Sequence, residues 1–125
     1  MDVVSGGEIA VGIGMRPGVG CADILRAVRV AFGGFTIGCL ATVDRRAGEP
    51  GLVAAAARLG VSVVGFSPGE LSGVAVPNPS LRTAGALGTP SVAEAAAMLA
   101  AGSDVLAVDK TVVGGIVLAA AVIGV

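Results

Sequence analysis

Short apolar runs alternate along this chain with segments in which apolar residues recur every three or four positions. Continuous apolar runs are typical of strands that are covered on both faces. Apolar residues at every third or fourth position are typical of the helices that cover them. The runs predict strands over Ile9–Ile13, Thr36–Val43, Val61–Phe66, Val105–Val108 and Val112–Ile123.

Helical periodicity fills most of the segments between these strands. Ile24, Val28 and Phe32 share one face of the first such segment, and Gly33-Gly34 ends it. The same reasoning predicts helices over Cys21–Phe32, Pro50–Gly60, Ser80–Leu87 and Ser91–Ala101, with one further helical turn over Ser67–Leu71. The third residue after Ser91 is Glu94, and this spacing predicts a capping box at the start of the last helix.

The alternation of strands and helices predicts an α/β fold. We expect one three-layer α/β/α domain over residues 1–125, with a mainly parallel, mixed sheet. Asp109-Lys110 is predicted to form a charged corner before the last strand. That strand is predicted to be antiparallel, because no crossover helix precedes it.

Composition removes several classes of function. The chain has 125 residues, of which 54% are hydrophobic and 2% are aromatic, and it contains no His. The absence of His removes the commonest general base and metal ligand, and Cys21 and Cys39 do not form a CxxC pair. We therefore expect no metal site and no cofactor. The net charge of −1 and the scarcity of aromatic rings give no reason to expect nucleic-acid binding.

The high mean hydropathy of +0.93 raises the question of a membrane span. The longest apolar run, Thr111–Val125, is shorter than the roughly 20 residues that a spanning helix needs, and Gly114 and Gly115 interrupt it. No signal peptide is visible in Met1–Glu8. We therefore expect a cytoplasmic protein that does not insert into membranes.

A glycine-rich turn between the first strand and the first helix is the clearest candidate site. It contains Gly12, Gly14, Gly18 and Gly20 around a single cation, Arg16. Backbone N–H groups at the positive end of a helix, with an arginine beside them, favour binding of a carboxylate or phosphate. The alternative is a tight turn in which the glycines serve packing alone.

The scarce charges of this chain lie next to predicted strand ends. They are Asp44, Arg45, Arg46, Glu49 and Lys110. Ligands of open α/β sheets bind outside the carboxyl ends of the strands. The arginines are candidate ligand-binding residues, and Asp44, Glu49 and Lys110 are candidates for acid–base chemistry. The alternative is that these are ordinary solvated loop charges.

A dinucleotide site is a further alternative. Gly12-x-Gly14 after a strand resembles the dinucleotide fingerprint, and Asp44 ends the second predicted strand, where a ribose-binding acid would lie. However, Pro17 stands at the third glycine position, so the spacing fails.

Several blocks of the chain resemble one family over nearly its whole length. They are VGIGMRPGVGCADI, ATVDRRAGEPGL, VPNPS, GTPSVAEAAAMLAAG and the turn at Lys110. These blocks, in this order, are similar to the cobalamin-biosynthesis family that contains CobE and the C-terminal domain of CbiG, the cobalt-precorrin-5A hydrolase. The length of the chain favours the stand-alone, CobE-like form.

The resemblance implies a role in assembly of the corrin ring, in which the domain binds or hands on a precorrin intermediate, with other enzymes of the pathway as partners. The alternative is the lactone-opening reaction of the hydrolase, by this chain alone or as a subunit with a partner chain. The resemblance adds Asn78 and Ser80 to the candidate ligand-binding residues. Met15 stands where the family often has Cys, and Arg46 where Lys is usual.

Overall fold

The computed structural model describes residues 8–74 and 92–123, which form one sheet with helices on both faces. The strands are β1 (Glu8–Gly14), β2 (Thr36–Val43), β3 (Ser62–Phe66), β4 (Val108–Val113) and β5 (Ile116–Val122). The helices are α1 (Cys21–Phe32), α2 (Asp44–Ala47), α3 (Pro50–Leu59), α4 (Pro68–Ser72) and α5 (Val92–Ala101).

The sheet is mixed, with the strand order β3-β2-β1-β5-β4. Strands β1, β2 and β3 are parallel, whereas β5 runs antiparallel to both β1 and β4. The carboxyl ends of β1 to β4 therefore lie at one edge of the sheet, which we call the carboxyl edge. The predicted mixed α/β sheet and the antiparallel last strand are confirmed.

Strand β1 shows how the sequence separates the two faces of the sheet. Ile9, Val11 and Ile13 pack into the cluster that contains the apolar faces of α1 and α3. The alternate residue, Ala10, packs against the alanines of α5 on the other face. Side chains of a strand alternate between the two faces of the sheet. In β1 the large side chains face α1 and α3 and the small one faces α5, so α5 packs closer to the sheet than the helices on the other face do.

Gly12 allows a close contact between α5 and the sheet. It is buried, and a Cβ built on it would overlap the carbonyl oxygen of Ala93. The backbone of α5 therefore rests directly on β1 at this position. This contact gives Gly12 a packing role.

The end of the chain differs from the sequence-based prediction. Val105–Val108 was predicted as a strand and Asp109-Lys110 as a corner, but Lys110 lies within β4. The turn instead occurs at Gly114-Gly115, with φ of 57° and 82°. Two consecutive residues with positive φ form the turn that best matches the twist of a two-stranded hairpin, and glycine adopts it at little cost.

Other predicted elements fall where the periodicity placed them. Helix α1 and strand β2 have the predicted bounds, and α3 begins at Pro50. The predicted helix over Ser80–Leu87 and the Ser91 cap lie outside the described residues. Of the helices in residues 8–74 and 92–123, none has both the length and the apolar character that a membrane crossing requires.

Candidate functional site

The glycine-rich turn joins the carboxyl end of β1 to the start of α1. Gly18 has a φ of 84°, a conformation that residues with a Cβ rarely adopt. Gly20 occupies the N-cap position of α1. The positive end of a 12-residue helix therefore opens onto this turn, as the sequence predicted.

Arg16 extends from this turn towards the β4–β5 hairpin. The side chain is exposed, and a Cβ built on Gly115 would lie 3.7 Å from its Nη2 atom. Gly115 was not identified as a site residue from the sequence. Its proximity to Arg16 depends on β5 lying beside β1 in the sheet, which no local pattern indicates.

Helix α2 follows β2 directly and carries the charged segment. Asp44 and Arg45 are exposed where β2 ends, and β2 pairs with β1 in the sheet. Gly65 lets α2 lie against β3, because a Cβ there would be 3.1 Å from the Cα of Asp44. The structure thus brings Arg16, Arg45 and the glycine-rich turn to neighbouring strand ends.

Arg46 and Glu49 contact the glycine-rich turn itself. The backbone N–H of Gly18 donates a hydrogen bond to Glu49 Oε1 at 3.0 Å, and Arg46 Nε donates one to the Met15 carbonyl at 3.3 Å. Arg46 Nη1 also lies 4.0 Å from Glu49 Oε2. These two side chains are therefore engaged within the protein and do not simply face solvent.

The buried side chain of Thr42 in β2 holds the end of β1 in place through a hydrogen bond. Its hydroxyl donates a 2.7 Å hydrogen bond to the Ile13 carbonyl, and the side chain is fully buried. The sequence analysis missed this residue, although a hydroxyl within the apolar segment Thr36–Val43 was an available signal. A buried hydroxyl requires a partner, and this one ties β2 to β1 just before the turn.

The remaining candidate residues do not join this group. Gly12 is buried beneath α5, and Lys110 lies inside β4, where its backbone N–H donates to Glu94 Oε2 at 3.2 Å. Strands β1 and β5 separate β4 from β2, so the strand that contains Lys110 lies roughly 14 Å from the strand that Asp44 follows. Gly14, by contrast, is half-buried at the end of β1, next to the turn.

Two of the candidate residues cannot be placed. Asn78 and Ser80 lie outside the described residues.

A small cleft of about 190 Å³ lies between α1 and the β4–β5 turn. It is lined by Asp23, Arg26, Ala27, Val113, Gly114 and Ile116. Pockets that enclose a drug-sized ligand measure about 300–1,000 Å³. This cleft is therefore too small for a macrocycle but is large enough for one substituent of a large ligand.

The titratable groups of the described residues offer no metal centre. No three His, Cys, Asp or Glu side chains in residues 8–74 and 92–123 lie close enough together to hold an ion. Cys21 and Cys39 are free thiols. Burial, with a smaller contribution from the Glu8 carboxylate, raises the pKa of Cys39, so this thiol stays protonated at neutral pH and is a poor nucleophile.

The fold and site together define a three-layer α/β domain with exposed arginines and a glycine-rich turn at the carboxyl edge of its sheet. Comparison with known proteins assigns this domain to a family. Residues 9–121 match the family described as cobalamin synthesis G C-terminus, and the chain belongs to that family.

Individual relatives agree with this assignment. The chain is 29% identical over 120 residues to a cobalt-precorrin-5A hydrolase from Priestia megaterium; the match covers 92% of this chain and 32% of that protein. The chain thus spans about a third of the length of this relative.

Two solved structures have the same fold. One is CobE, a protein from the cobalamin biosynthetic pathway, with a TM-score of 0.77, 26% identity, and coverage of 90% of this chain and 88% of that one. The other is the cobalamin biosynthesis protein chiG from Agrobacterium tumefaciens, with a TM-score of 0.69, 33% identity, and coverage of 93% and 98%. The family resemblance noted in the sequence is confirmed.

Proposed function

We propose that this chain is a CobE-like domain that binds a precorrin intermediate by its carboxylates at the carboxyl edge of the sheet and hands it on within the cobalamin pathway. The observation that carries this proposal is the placement of Arg16 and Arg45. Both are exposed where adjacent parallel strands end, and Arg16 lies in the turn that leads into α1.

The chemistry of such a ligand suits this edge. Precorrins carry several acetate and propionate carboxylates around an apolar ring, and guanidinium groups bind carboxylates through two parallel hydrogen bonds. The N-terminus of α1 adds backbone donors and a partial positive charge. A ring lying across the edge could reach these groups with different side arms.

Hydrolysis of a precorrin lactone is the second candidate function. It is favoured by the similarity to a cobalt-precorrin-5A hydrolase, of which this chain spans 32%. The arrangement of the described residues supports binding more than catalysis, because Asp44 follows β2, Lys110 lies in the distant strand β4, and Glu49 contacts the turn. Of the two forms of this alternative, the arrangement agrees better with the one in which this chain is a subunit and a partner chain completes the site.

The binding proposal is tested by titrating the purified protein with hydrogenobyrinic acid, a metal-free corrin, and following its visible absorbance. We expect saturable binding that weakens by about three- to tenfold in Arg16→Ala and in Arg45→Ala, because each loses an exposed charge-assisted hydrogen bond. Arg29→Ala is the matched control. It removes the same charge from the last turn of α1, away from this edge, and should bind as the wild type does.

Absence of binding by the wild-type protein would overturn the proposal for this ligand. Incubation with a lactone-bearing precorrin separates the two functions. A precorrin that is bound and recovered unchanged supports a carrier, whereas turnover that is lost in Asp44→Asn or Lys110→Ala supports the hydrolase. Turnover that requires a second protein supports the subunit form.

A further inference from the structure

The glycine-rich turn is fastened to the segment between β2 and α3 from two sides. Glu49 accepts the N–H of Gly18 at 3.0 Å, near the end of the turn. Arg46 donates to the carbonyl of Met15 at 3.3 Å, at its beginning. The Glu49 and Arg46 side chains are 17% and 22% exposed and lie beside each other. The Gly18–Glu49 hydrogen bond lies at the exposed surface of the turn, and the Arg46–Met15 hydrogen bond is partly buried.

Backbone packing brings the same two segments together a third time. A Cβ built on Gly51, in the first turn of α3, would overlap the carbonyl oxygen of Val19. The starts of α1 and α3 are therefore in direct backbone contact. The residues after the turn are held by packing, and the residues within it by Arg46 and Glu49.

We propose that Arg46 and Glu49 form a latch that holds the glycine-rich turn, residues 15–18, in its ligand-binding conformation before the ligand arrives. Glu49 is then a positioning residue and does not act as a general base. This inference rests on the proposed function, since it assigns the latch to the turn that would meet the carboxylates of the ligand.

A latch is needed because of the composition of the turn. Gly18 adopts a left-handed conformation and, as a glycine, has many other conformations available to it. Ordering such a residue costs conformational entropy, and a site that is ordered in advance spares the ligand that cost. Arg46 also neutralises Glu49, so the latch places no isolated negative charge beside the predicted carboxylate site.

The latch is tested first in the protein without ligand. Exchange of the Gly18 amide proton, followed by nuclear magnetic resonance, should be about 10- to 100-fold faster in Glu49→Ala, because a hydrogen bond to a carboxylate is lost. Glu49→Gln keeps an acceptor oxygen and should restore part of the protection. Core amides of β1 should exchange as in the wild type, which separates loss of the latch from loss of the fold.

The matched control is Glu70→Gln. Glu70 also accepts a backbone N–H through its carboxylate, that of Ser67 at 2.8 Å, but at the start of α4. The substitution makes the same change of charge and should leave Gly18 exchange unaltered. Equal exchange of Gly18 in the wild type and in Glu49→Ala would overturn the latch.

The second test measures hydrogenobyrinic acid binding by the same variants. We expect Glu49→Ala to bind about tenfold more weakly, with partial rescue in Glu49→Gln. Unchanged or tighter binding would overturn the proposal; tighter binding would mean that Glu49 competes with the ligand for the Gly18 N–H. If the wild type does not bind, the proposed function fails for this ligand, while the exchange experiment still decides whether the latch exists.

Discussion

Gly12 and Gly18 are indistinguishable in the sequence, yet they have different physical roles. Gly12 is buried, and the space that its Cβ would need is filled by the backbone of Ala93 in α5. Gly18 is exposed with nothing near its Cβ position, and its φ of 84° is what requires glycine. The sequence could locate the turn, but the role of Gly12 depends on a helix some eighty residues later.

This difference predicts the effect of adding one methyl group. Gly12→Ala should lower the free energy of unfolding by about 1–3 kcal/mol or more, because α5 must move away from β1 to make room. Gly34→Ala is the control, since a Cβ there meets nothing within 4 Å; it should be neutral or slightly stabilising. Urea unfolding measures both. A Gly12→Ala protein as stable as the wild type would contradict the close packing of α5.

At the scale of the elements, β4 shows where local patterns fail. Charged residues usually mark turns, and Asp109-Lys110 was therefore predicted as a corner, but both residues lie within β4. This strand is at the edge of the sheet, where charged side chains are accepted and discourage pairing with another chain. Gly114-Gly115 carried the stronger turn signal, and the prediction of a corner at Asp109-Lys110 was wrong.

Strand β2 carries a pH-dependent contribution to stability through Cys39. Burial raises the pKa of this thiol in the folded protein, so above about pH 8.5 the unfolded chain loses the proton first. The contribution of Cys39 to the free energy of unfolding is complete at neutral pH. It decreases as the pH rises above about 8.5, by at most about 1.4 kcal/mol per pH unit. Unfolding of the wild type between pH 7 and 10 should show this slope, and Cys39→Ala should lack it.

The control for this prediction is Cys21→Ala, which keeps Cys39 and should keep the slope. Thermal or urea unfolding at several pH values gives the measurement directly. A Cys39→Ala protein whose stability decreases with pH as steeply as that of the wild type would show that other groups cause the alkaline loss.

At the scale of the whole molecule, the arrangement of helices and sheet in layers was easier to predict from the sequence than the neighbours of each site residue. Apolar strands and alanine-rich helices alternate clearly enough to give the α/β class, the parallel strands and the antiparallel end. The neighbours of Arg16 depend instead on the strand order β3-β2-β1-β5-β4, which places Arg45 on one side and Gly115 on the other. The two contacts of the latch were also missed, because no periodicity relates residues 31 positions apart.

The charge of the whole molecule and the charge of its candidate site have opposite signs. The net charge is −1, so overall electrostatics oppose binding of an anionic corrin, and added salt would slightly favour it. The local positive field of Arg16, Arg45 and the start of α1 instead favours binding of the anionic corrin, and added salt would weaken that binding. Because the screening length falls from about 10 Å at 0.1 M salt to about 3 Å at 1 M, we expect hydrogenobyrinic acid to bind several-fold more weakly at the higher concentration.

This dependence on salt should be smaller in Arg16→Ala and unchanged in Arg29→Ala, since the Arg29 variant alters the net charge equally without altering the carboxyl edge. The comparison therefore separates local from overall electrostatics with one titration series. If affinity rises with salt in the wild type, the net charge of the molecule or burial of the apolar ring would dominate recognition, because kosmotropic salts strengthen the association of apolar surfaces. The arginines at the sheet edge would then contribute little, and the carboxylate-binding role proposed for them would be wrong.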